Sequence, residues 1–135
     1  MSWDVFIMRF PKGLKSSDEI PAEWDPEDIG TVAAVRAAIE SAIPDITWDS
    51  TGWGRGTGNG FSVQISLSGD DAELINGFTL GFRGGGDAAA VAMSLAGKFS
   101  ARALGSGKFL EPDTADEALN EWQRYRDQVT RRHTD

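Results

Sequence analysis

The chain has no cysteine and a single histidine, His133, two positions from its last residue. Without cysteine there is no disulfide, no thiolate metal ligand and no cysteine nucleophile. A lone histidine near the end of the chain leaves a serine nucleophile without a well-placed base, because order is least at chain ends. Long apolar runs are missing as well, and Met1-Ser2-Trp3-Asp4 carries no basic stretch ahead of the short apolar segment that follows. These features read against a signal peptide or a membrane span, so a cytoplasmic protein that does not contact membrane is the expectation.

Positive charge is scarce. Thirteen Lys and Arg stand against 21 Asp and Glu, for a formal net charge of −8. The imbalance is uneven: −5 over residues 1–60, 0 over residues 61–110 and −3 over residues 111–135. An acidic surface repels phosphate backbones, which disfavours nucleic acid and favours a basic partner. The 135 residues, 40% hydrophobic and 25% charged, are what one globular domain needs, and a single domain over residues 1–135 is expected.

The stretch that organises the rest runs from Asn76 to Leu104. Phe78, Leu80 and Phe82 share one parity, as in a strand with one buried face, and Ala88, Val91, Ala92, Leu95, Ala96 and Phe99 follow helical spacing. The period changes at Gly84-Gly85-Gly86, which reads as a strand, a glycine turn and a helix. Ahead of it, Trp3 to Phe10 is apolar on both parities and reads as a central strand covered on both sides. Val32, Val35, Ile39, Ala42 and Ile43 make an amphipathic helix over residues 31–43, with Arg36 and Glu40 spaced for an ion pair. Ile46 to Trp48 is a short strand, Thr51 to Gly60 a loop holding Gly52, Gly54, Gly56, Gly58 and Gly60, and Phe61 to Ser68 a strand that alternates without a break. Gly69 to Asn76, with Asp70, Asp71 and Glu73, reads as a turn. A small hairpin around Gly105-Ser106-Gly107 and a last helix from Ala115, with Ala118, Leu119, Trp122, Tyr125 and Val129 along one side, complete the chain. The order β-α-β-β-β-α-β-β-α predicts an α+β fold, a mixed or mainly antiparallel sheet of about four to six strands with three helices packed on it.

Three places carry candidate functional residues. Residues 14–30 interleave Glu23, Trp24, Asp25 and Glu27 with Pro21 and Pro26; aromatics set among charges are common at binding sites, and the alternative is that Trp24 folds onto the core. In the glycine segment, Trp53 and Arg55 are residue types that dominate binding hot spots. At the strand-to-helix turn, Arg83 with Gly84, Gly85 and Gly86 has the outline of an anion site, since free amides at a helix start favour negative charge. It lacks the lysine of a phosphate-binding loop and the dinucleotide spacing, and Asp87 is placed to cap the helix itself or to pair with Arg83. Carboxylate pairs such as Asp70 and Asp71 match no calcium-loop pattern, and no cofactor or metal is expected. The arginines from Arg124 to Arg132 are interleaved with acids and read as a solvated helix face.

Ser2-Trp3-Asp4-Val5, Asp18-Glu19-Ile20-Pro21 and above all Phe82-Arg83-Gly84-Gly85-Gly86-Asp87, with Ala103-Leu104 and Gly107-Lys108-Phe109-Leu110, resemble a family of small bacterial proteins to which no activity is attached. The resemblance covers most of the chain apart from the last helix. It implies a bacterial cytoplasmic α+β domain, and size and charge add an analogy to immunity or adaptor proteins. The leading expectation is a non-enzymatic protein-binding module recognising a basic partner through Glu23, Trp24, Asp25, Glu27, Trp53 and Arg55. The alternative is a small-molecule or anion-binding protein, or an enzyme, built on Arg83 and Gly84 to Gly86.

Overall fold

The first apolar run becomes the middle of a seven-stranded sheet. In the computed structural model, which describes residues 2–134 and their side chains as far as residue 129, β1 (Trp3–Met8) lies between β7 (Gly77–Gly84) and β8 (Arg102–Gly105). With β3 (Thr47–Trp48), β4 (Trp53–Gly58), β5 (Phe61–Ser66) and β9 (Lys108–Leu110) the order is β3-β4-β5-β7-β1-β8-β9, antiparallel at every pairing. A separate ribbon pairs β2 (Gly30–Thr31) with β6 (Leu74–Ile75). Three helices, α1 (Val32–Ala42), α2 (Ala88–Lys98) and α3 (Ala115–Thr134), complete the α+β fold that the sequence leads one to expect. No helix among the described residues is long and apolar enough to cross a membrane.

One face of the sheet, the inner one, carries the main core. Trp3, Val5 and Ile7 of β1 sit beside Phe78, Leu80 and Phe82 of β7 and Val63 and Ile65 of β5, and Val35, Ile39, Leu95 and Leu119 close over them from the helices. Burying each such side chain contributes about 1.5–3 kcal/mol. Phe61 and Phe82 meet edge to face at 5.4 Å, the geometry that ring quadrupoles favour. Thr31 caps α1 by accepting from the Ala34 amide at 3.1 Å.

The structure corrects six expectations. β1 is central, but its outer face is only partly covered: Phe6 is 44% exposed, while Met8 and Phe10 join Leu104 and Phe109 in a second, smaller cluster. The segment Thr51 to Gly60 is not a loop; residues 53–58 are β4, paired with both β3 and β5. Its alternating glycines face inward, where a Cβ at Gly54 would lie 2.6 Å from the Trp48 ring and one at Gly56 2.6 Å from Ile43 Cγ2. Residues 74–75, expected in a turn, pair with β2; these additions bring the strands above the four to six expected. Arg36 and Glu40 do not pair: Arg36 donates to the Leu67 carbonyl and lies over the Trp48 ring, whose Nε1 donates to Glu40. Tyr125, expected on the buried side of α3, is 58% exposed.

Candidate functional site

The Leu14 to Trp24 segment divides the outer face of the sheet. Leu14, Ile20 and Trp24 pack on the cluster of Phe10, Leu104 and Phe109 and so cover the β8–β9 end, with Trp24 stacked on Phe10 at 5.2 Å. The other half, over β4, β5, β7 and the start of β1, is open and forms a groove of about 570 Å³. That size lies within the range of small-molecule sites, roughly 300–1,000 Å³.

Strand register fixes what the groove presents. Because successive side chains alternate between faces, each inward core residue leaves an outward neighbour. One row across the sheet runs Thr57, Ser62, Arg83, with Thr57 opposite Ser62 and Ser62 opposite Arg83. The next runs Arg55, Gln64, Gly81, Asp4. In the third, Trp53 stands opposite Ser66, and Phe6 opposite Thr79. The floor is thus made of small or uncharged side chains on β5 and β7. Arg55 and Trp53 rise from β4, and Arg83 from β7.

Two aspartates hold β4 in place. Asp49 accepts from the amides of Thr51 and Trp53 at 2.9 Å and 3.0 Å and from the Thr51 hydroxyl at 2.7 Å, so the backbone that carries Trp53 is pinned at its first residue. Asp45 accepts from the amide of Thr57 at 2.9 Å and from its hydroxyl at 2.5 Å, tying the far end of β4 to the segment after α1. Hydrogen bonds to the charged form favour it. The Thr57 hydroxyl and then its amide hold the Asp45 carboxyl below its ordinary value of 3.8. The Thr51 hydroxyl leads the same effect at Asp49, where the positive charge of Arg55 adds a smaller share.

Arg55 and Arg83 are both exposed, and among the described residues neither makes an ion pair within 4.0 Å. No group of three or more His, Cys, Asp or Glu able to hold a metal is found among those residues.

The sequence-selected residues therefore fall into three places. Trp53, 42% exposed, and Arg55 line the groove, and Arg83 joins them there. Arg83 leaves the glycine turn behind and makes no pair with Asp87, whose carboxylate accepts instead from Asn59 Nδ2 at 3.2 Å. The turn itself is engaged with the β4–β5 hairpin: the Gly85 amide donates to Gly60 O at 2.8 Å and the Asp87 amide to Asn59 O at 2.9 Å. From the other side Gln123 and Arg126 donate to Gly84 O, and Gly86 has a φ of +53° that favours glycine. Glu23, Asp25 and Glu27 are exposed in and just after the segment that covers the other half of the outer face, where Glu27 lies 3.6 Å from Arg9. The side chains of Arg131, Arg132 and His133 lie outside the described residues.

Sequence reasoning did not single out Thr57, Ser62, Gln64, Thr79 and Asp4 as site residues. For Ser62, Gln64 and Thr79 the signal is the polar parity of β5 and β7, visible as alternation but with nothing to show that no described element covers it; Thr57 and Asp4 join them only through the pairing of β4 and β1. Compared with protein-family models, with curated proteins and with solved structures, the chain shows no match to any of them.

Proposed function

We propose that this protein is a non-enzymatic binding module that docks a protein partner on the outer face of its sheet. One observation carries the reading: a half-face that no described element covers presents Trp53, Arg55 and Arg83 over paired strands, beside a segment bearing exposed Glu23 and Asp25 around a half-buried Trp24. Exposed aromatic and arginine side chains on a preformed surface supply contact energy at low ordering cost. The carboxylates, in a chain of net charge −8, steer a basic partner and set its orientation. A role of the immunity or adaptor kind, in which a small acidic protein covers a basic one, fits this division between anchor and steering charge.

The test is affinity capture from a bacterial lysate with wild type, Trp53→Ala and the charge-reversed Glu23→Lys/Asp25→Lys/Glu27→Lys protein, followed by association kinetics on any protein recovered. The expected outcome is a basic partner whose dissociation speeds up with Trp53→Ala and whose association slows with charge reversal, more at low salt than at high salt. An association rate that ignores both charge reversal and salt overturns the reading.

A further inference from the structure

We infer that the groove is a carboxylate site, built by Arg55 and Arg83 on either side of Ser62 and Gln64, with an apolar slot beside it at Trp53. The inference rests on the reading of the outer face as the binding face and names the chemistry that face takes. Arg55 lies on β4 and Arg83 on β7, one strand to each side of β5, where they are opposite Gln64 and Ser62. From strand spacing and the two-residue step along the strands, their Cα atoms are about 12 Å apart. Two long arginine side chains span that gap from both ends, over a Ser hydroxyl and a Gln amide that can donate from below. A planar guanidinium matches a carboxylate with two parallel hydrogen bonds. Among the described residues neither arginine has an acid within 4.0 Å; Arg55 acts on Asp49 only at longer range, as a minor share of what lowers that carboxyl.

The occupant's charge follows from the other two ionisable groups in the lining. Asp45 sits beside Thr57 and Asp4 opposite Gly81, at the corners not held by arginine. Both keep hydrogen-bond donors of their own, Thr57 for Asp45 and Ser2 for Asp4. With two arginines and two aspartates the lining is neutral overall, so a single negative charge placed between the arginines is favoured, while a dianion extends its second charge towards an aspartate. The occupant's body follows from the next row. Trp53 precedes Arg55 by two positions on the same face, and the Ile65 to Leu80 pairing sets Ser66 next to Thr79, a low floor between Trp53 and Phe6. An apolar group one residue pair away from the carboxylate rests there against the Trp53 ring.

This chemistry has two sources: a small organic acid with an apolar tail, or an extended peptide in which an acidic residue and an apolar residue stand two apart and so share a face. NMR titration of the amides of β4, β5 and β7 separates them. The probes are 3-phenylpropionate, its neutral amide 3-phenylpropionamide, phenylphosphate, and the peptide acetyl-Gly-Glu-Gly-Phe-amide with its Gln counterpart. The expected result is saturable shifts in those strands with one or both carboxylates and none with the neutral amide or the Gln peptide. Arg55→Gln and Arg83→Gln, both exposed substitutions checked for unchanged melting, each weaken binding by about tenfold or more. Binding of the peptide alone assigns a protein segment, and binding of the small acid alone or more tightly assigns a metabolite-sized ligand.

The inference is overturned if acid and amide bind equally, if phenylphosphate binds more tightly than either carboxylate, if both Arg→Gln variants bind as wild type, or if no probe shifts these amides at about 10 mM, beyond the millimolar limit of weak specific binding. A protein partner captured equally by wild type and by both Arg→Gln variants removes the carboxylate assignment and leaves the binding-module reading standing. Binding of the small acid alone, without any captured partner, does the reverse.

Discussion

Gly54 and Gly56 show why a strand here needs residues without side chains. A Cβ at Gly56 would meet Ile43 Cγ2 at 2.6 Å and the Ile46 backbone at 3.2 Å, so Gly56→Ala must push back the segment that follows α1. Its expected cost is about 1–3 kcal/mol, the usual penalty of overpacking a core. Gly97, in α2, has nothing within 4 Å of an added Cβ, and Gly97→Ala is expected to stabilise by about 0.4–1 kcal/mol. Urea unfolding of the two variants checks both signs. The aspartates that pin β4 give a pH dependence of defined direction. Because the folded-state values of Asp45 and Asp49 lie below their ordinary 3.8, their contribution is present above about pH 4 and is lost as pH falls through the lowered values. The stability difference between wild type and Asp45→Asn is therefore expected to hold at neutral pH and to shrink as pH drops below 4; a difference that grows on acidification contradicts the Thr57 hydrogen bonds as its cause.

Among the elements, the contact between two turns helps to set the shape of the site. The β4–β5 hairpin turn at Asn59-Gly60 lies against the Gly84 to Gly86 turn, and a Cβ at Gly86 would fall 2.0 Å from Asn59 O. Gly86→Ala, with a positive φ as well, is expected to cost about 2 kcal/mol or more and to disturb β4 amides in the NMR spectrum, although β4 is distant in sequence. Much of the fold was legible because β5, β7 and α2 carry unbroken periods of two and 3.6, and local period is what a sequence displays. β4 is masked by its composition: Gly52, Gly54, Gly56, Gly58 and Gly60 alternate as strictly as any apolar strand, with glycine in place of the inward side chain. The groove was legible in part. Trp53, Arg55 and Arg83 stood out by residue type, but their convergence depends on β5 pairing with β7 rather than on any spacing along the chain. Nor does a sequence show that residues 14–24 stop short of covering the sheet.

At the scale of the whole molecule, β1 joins parts of the chain that are far apart in sequence, since Phe6 pairs with Thr79 on one side and Leu104 on the other. The sheet is not complete until the earliest strand is inserted between two of the latest, a topology rich in long-range contacts that folds slowly for its size. The same strand also separates the two faces by one residue. Ile7 is fully buried in the main core and its neighbour Phe6 is 44% exposed on the outer face. Ile7→Ala is therefore expected to cost about 2–5 kcal/mol, the range for truncating a core side chain. Phe6→Ser, although it removes a larger apolar group, is expected to cost less than about 1 kcal/mol, the span of strand propensity on an exposed face. Paired denaturant curves decide the matter. If Phe6→Ser destabilises as much as Ile7→Ala, the outer face is covered in the protein as it folds in solution, and the groove on which the binding proposal stands is closed; if the two costs differ as stated, the face is free to receive a partner.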